Sequence, residues 1–186
     1  MNISNHYNMK KFIVVLIAFL TLNNIYGQNT TSRLTIIKGG SVNFHFNSYT
    51  KLDNGIETGY NNWTNLQVYF IDTTNAGAIN AGANWELYIK ARTAQIDGDG
   101  GNSMPLDKVE YQVTTSSGTA ISGWQQLTNS DLRIVSGGAN PSNTENVYIS
   151  YRVGASGTND LLNEDAGYYY VDLIFTLDVS PGGVIP

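Results

Sequence analysis

The sequence predicts an all-β chain folded as an antiparallel sandwich. Three observations lead there. The stretch Gly167 to Val179 alternates strictly: Tyr169, Val171, Leu173, Phe175, Leu177 and Val179 share one face, and Tyr168, Tyr170, Asp172, Ile174, Thr176 and Asp178 share the other. A period of two belongs to a half-buried strand, because successive side chains point to opposite faces. Shorter alternating segments recur upstream, separated by Gly, Asn and Ser turns. No window carries the apolar period of a helix.

The chain begins with Lys10-Lys11, an apolar run from Phe12 to Leu20, a polar step, and Ile25-Tyr26-Gly27. That order reads as a secretory signal peptide over residues 1–27, with cleavage between Gly27 and Gln28. The run is shorter than the roughly 20 apolar residues of a membrane span. Removing 27 of the 186 residues leaves 159, enough for one domain with its own core. The formal charge then moves from −5 to −7, since the leader holds two lysines and no acid. Such a surface repels nucleic acid and anionic membrane, and no second apolar run could span a bilayer. With no cysteine, an exported domain depends on its core or on a partner for stability; thiol catalysis and Cys-ligated metals are excluded.

Residues 28–40 form a polar leader whose segment Arg33 to Ile37 favours β structure and ends at Gly39-Gly40. The domain proper spans 41–186. Val42, Phe44 and Phe46 alternate with Asn43, His45 and Asn47, and Asp53-Asn54-Gly55 signals a turn. Leu66, Val68 and Phe70 form the next inward set, and Asp72 to Ala83 reads as a loop. Trp85, Leu87, Ile89 and Ala91 alternate with Glu86, Tyr88, Lys90 and Arg92. Asp97 to Asn102 is a loop tip, followed by Val109, Tyr111 and Val113, and by the turn Ser116-Ser117-Gly118. Ile121 to Leu127 and Leu132 to Val135 are weaker strands; Val147, Ile149, Tyr151 and Val153 make a clear one. The last strand, near 3.3 Å per residue, would reach roughly 40 Å, so a bend or bulge is expected in it. Eight or so strands in this length suit an immunoglobulin-like sandwich, with a small β-barrel as the competing architecture.

Catalytic constellations are thin. Outside the leader the one histidine is His45, on the polar face of its strand, and no nucleophile-elbow pattern accompanies it. Glu164, Asp165, Asp172 and Asp178 read as solvated charges, not as a glycosidase pair. Asp97-Gly-Asp-Gly-Gly-Asn102 reverses the Asn-Gly order of a calcium loop and lacks its closing Glu, since Lys108 stands there. No cofactor or metal pattern remains. Trp63 and Trp124, among polar neighbours, and Tyr168 and Tyr170, on the outer face of the last strand, form a candidate ligand surface; Trp85, in phase with Leu87 and Ile89, is core. Asn29-Thr-Thr31 and Asn62-Trp-Thr64 match the N-glycosylation sequon.

Four stretches together resemble the pilin-like family that includes spore coat protein U and the subunits of archaic chaperone–usher fimbriae. They are Val42 to Tyr49, Asn84 to Ala91, Val147 to Gly154, and Asp165 to Leu177 with its Ala-Gly-x-Tyr turn before a long alternating strand. The resemblance implies an immunoglobulin-like sandwich at the periplasm or cell surface, completed by a strand from a periplasmic chaperone and then from the next subunit, in a homo-polymer or beside other surface subunits. Two departures stand out. Family members often carry a disulfide, absent here, and the only donor series is Ser32, Leu34 and Ile36. Leu34 and Ile36 are therefore the candidate donor side chains, while the same segment equally reads as the domain's own first strand. The expected role is a non-enzymatic structural or adhesive surface subunit; a carbohydrate- or protein-binding module is the alternative.

Overall fold

The computed structural model describes residues 29–74, 77–139, 144–154 and 161–182. Residues 1–27, with the expected cleavage between Gly27 and Gln28, lie outside them. The described residues form two antiparallel sheets facing one another.

One sheet takes β1 (Asn29–Lys38), β3 (Thr64–Thr73), β11 (Glu145–Val153), β7 (Val109–Thr115) and the short β9 (Gln125–Gln126), in that order. The other centres on β12 (Gly167–Ser180), joined by β2 (Ser41–Phe46), β4 (Asn84–Ala91), β5 (Gln95–Gly98), β6 (Ser103–Pro105), β10 (Leu132–Gly138) and β8 (Thr119–Ala120). The expected inward sets all meet between the sheets. Leu66, Val68 and Phe70 of β3 and Val147, Ile149, Tyr151 and Val153 of β11 are buried against Val42, Phe44 and Phe46 of β2 and Trp85, Leu87 and Ile89 of β4. Burial of such side chains contributes roughly 1.5–3 kcal/mol each.

Tyr169 marks the start of β12. Its ring is buried while its hydroxyl donates to the Asp165 carbonyl at 2.9 Å, four residues upstream. The bond is similar to the tyrosine corner found in immunoglobulin-like sandwiches. It explains why the Gly-Tyr-Tyr-Tyr run can bury one large polar ring: its oxygen keeps a partner.

Three local expectations change. Tyr49–Asn54 winds into a short helix, α1, where a simple turn was expected; Ser48 caps it by accepting from Lys51 N, and Gly55 ends it at a φ of 68°. Six residues are too few to show an apolar period, so the pattern could not register it. The stretch 121–127 is not one strand: β8 ends just before it, and within it only Gln125 and Gln126 form a strand, β9, on the other sheet. β12 itself runs in unbroken register, and the irregularity falls between β4 and β5 on its neighbouring edge.

Candidate functional site

The two edges of β12 are filled unequally. β4 pairs with Leu173 to Ser180, and β5 continues along that same edge to Tyr169 and Tyr170. The opposite edge is taken by β2, from Gly167 to Asp172. The last bond there runs from Leu173 N to the Gly40 carbonyl, while Asp172 faces the other way and accepts from Arg92 N. Continuing the two-residue period, Phe175, Leu177 and Val179 turn their backbone N–H and C=O groups toward the edge that β2 has left. Among the described residues no strand pairs with that edge beyond Leu173.

The reason is the path of β1. Gly39 breaks the chain between β1 and β2 at a φ of 72° and packs where a Cβ would lie 2.4 Å from the Trp63 carbonyl oxygen. β2 therefore stays with β12, and β1 crosses to pair with β3 from Asn29 to Lys38. At the far end Gly182 N donates to Asp72 on β3, and Thr30 Oγ1 donates to the same carboxylate. β1 and the second half of β12 thus lie on opposite sides of a slot that is closed at each end.

Side chains line that slot. Ser32, Leu34 and Ile36 stand opposite Phe70, Val68 and Leu66, so they share the inward face of their sheet. Yet Ile36 is 50% exposed and Leu34 only half-buried, because among the described residues no strand stands across from them. On the other wall Phe175, Leu177 and Val179 are half-buried, although the preceding inward residues Tyr169 and Val171 are fully covered. The slot is apolar within and, among the described residues, has unpaired backbone at one side. It can accept an extended segment of about seven residues whose alternate side chains are apolar.

Leu34 and Ile36 therefore wall the slot, and they belong to a strand held by its own domain. Donation to a neighbour requires release of β1 from β3. The four candidate ligand residues are divided. Trp63 (36% exposed) lies beside Tyr60, ring centres 5.1 Å apart, at a cleft that His45 also lines. Tyr168 stacks flat on His45 at 3.8 Å, so it joins that corner. Tyr170 is exposed further along the outer face of β12. Trp124 is elsewhere, beneath the Arg152 guanidinium at 4.3 Å, with Arg152 also paired to Glu110 at 2.7 Å. Tyr60 is not among the candidates the sequence offers, and Phe175, Leu177 and Val179 enter there only as the inner face of the final strand, expected to edge an acceptor groove. The sole sequence signal for Tyr60 is its place beside Trp63 across Asn61-Asn62.

In the loop Asp97 to Asn102, Gly98 N donates to the Asn102 carbonyl, and Asp99 accepts from Tyr168 N at 3.0 Å. It serves as the β5–β6 turn and anchors the start of β12. No group of three His, Asp or Glu side chains with metal-binding placement occurs among the described residues, nor does any helix there long and apolar enough to cross a membrane. Comparison with family models, curated proteins and solved structures returns no match to the chain.

Proposed function

We propose that this chain is a non-enzymatic surface subunit, exported from the cytoplasm, that assembles by accepting an extended β-strand in the slot between β1 and β12. The observation that carries the reading is the one-sided second half of β12. A sheet edge left without a partner strand among the described residues, above half-exposed Phe175, Leu177 and Val179, is the recognised geometry for strand addition. Natural sheets otherwise blunt such an edge with charge, proline or a covering segment. Here Pro181 comes only after the strand has ended, and the acids Asp172 and Asp178 lie on the outer face. Export is read from the leader, Lys10 to Gly27. The resemblance of the Ala-Gly-x-Tyr ending to fimbrial subunits supports the same assignment.

The test is assembly of the exported chain, followed by light scattering and by electrophoresis without boiling. The chain should recover as polymers or as a complex with a co-exported partner. Leu177→Asp with Val179→Asp should abolish that association while the monomer still unfolds cooperatively. A chain that remains monomeric and captures no partner, or associates equally well with both aspartates in place, overturns the proposal.

A further inference from the structure

A second surface feature shares no side chain with the slot. We propose that the cleft between β2 and the segment joining α1 to β3 binds a neutral pyranose ring, as the terminal residue of a glycan. The cleft measures about 490 Å³, and His45, Lys51, Glu57, Tyr60 and Trp63 line it. That volume lies within the range of ordinary small-ligand pockets.

The rings are fixed before any ligand arrives. The outward carbonyls of β2 each accept from a different side chain: Ser41 from Trp63 Nε1 at 2.9 Å, Asn43 from Tyr60 Oη at 2.6 Å, and His45 from Lys51 Nζ at 3.0 Å. These bonds cap the free edge of β2 and satisfy the polar ends of both aromatics. They also lock ring orientation, so binding costs little side-chain entropy. The planes of Tyr60 and Trp63 meet at 54° and make an aromatic corner. Tyr168, stacked at 7° on His45, stiffens the neighbouring wall. Edge capping uses the polar ends alone and leaves unexplained why Trp63 and, in part, Tyr60, which also packs on Phe44 at 5.0 Å, keep ring faces open to the cleft.

Those faces carry partial negative charge, and the axial C–H groups of a pyranose carry partial positive charge, so the two stack. The rim selects further. After its bond to His45, the Lys51 ammonium keeps two donors, and the exposed Glu57 carboxylate forms no ion pair among the described residues. A donor and an acceptor of opposite charge suit hydroxyl groups, which do both. An acidic or a basic sugar would be attracted at one of them and repelled at the other, whereas a neutral sugar meets no like charge at either.

The full chain is titrated with methyl glycosides of glucose, galactose, mannose and N-acetylglucosamine, their short oligomers, and glucuronic acid. Tryptophan fluorescence and saturation-transfer NMR report binding. At least one neutral glycoside should bind saturably. Trp63→Ala and Glu57→Gln should each weaken it about tenfold or more. Trp63→Phe, which retains a ring, should keep part of the affinity and guards against misfolding of the alanine variant. Trp124→Ala should leave binding unchanged. The proposal is overturned if no neutral sugar binds, if Trp63→Phe and Glu57→Gln both bind as the parent does, or if glucuronic acid binds best.

Discussion

Glu145, like Asp72, is a carboxylate drawn into the sandwich, and four donors meet it: the hydroxyls of Thr115, Ser116 and Ser117 and the Ser117 backbone N–H at 2.9 Å. Burial pushes this carboxyl up, but the hydrogen bonds outweigh it and bring it down to about 2. A folded-state value below the unfolded one stabilises the fold above about pH 4.5, and that stability is lost as pH falls toward 2. Glu145→Gln should cost about 1–2 kcal/mol at neutral pH, allowing for solvent screening at its wetter side. It should also flatten the stability profile between pH 4.5 and 2, which denaturant titrations across that window would measure. Gly39 makes a second residue-scale prediction. An alanine there meets both a left-handed backbone and the Trp63 carbonyl, so Gly39→Ala should lose about 1–3 kcal/mol in the same titrations. Buried Tyr111, by contrast, has a hydroxyl with no partner among the described residues, and its pKa is pushed up to about 12 by burial.

β1 decides how the domain is completed. Its pairing with β3 covers the edge of the strand that carries Leu66, Val68 and Phe70. A chain starting at Ser41 would lack one wall of the slot and would expose that edge and the β12 wall at once. It should fail to unfold cooperatively, and a peptide spanning residues 28–40 should restore a sharp transition. A shortened chain that melts like the parent would mean that β1 contributes no stability. β12 is read most directly from sequence at this scale, since its alternation predicts the observed inward face throughout. The alternation is silent on how its two edges are used. Phe175 and Val171 have the same phase, yet one is half-buried and the other covered, because β2 ends at Ser41.

Taken whole, the molecule separates two surfaces. The slot between β1 and β12 suits an extended segment, and the aromatic cleft beside β2 suits a sugar. Association should therefore follow Leu177 and Val179, and glycan binding should follow Trp63, with neither pair affecting the other readout. That independence is checked by measuring polymer formation and sugar titration on each variant.

Composition and the two-residue period determined the fold class, the core residues and the coarse order of strands. Those properties are local: they need only the neighbouring side chains and the pleat of one strand. The sequence also marked Trp63, Tyr168, Leu34 and Ile36, but as scattered members of larger sets. The tertiary structure decided which of them meet. Tyr168 joins Trp63 through His45, while Trp124 is held under Arg152. Leu34 and Ile36 face Phe175 to Val179 across a gap because Gly39 sends β1 to the other sheet. Strand partners are set by long-range pairing and by where the chain crosses between sheets, and periodicity along a single segment carries no record of either.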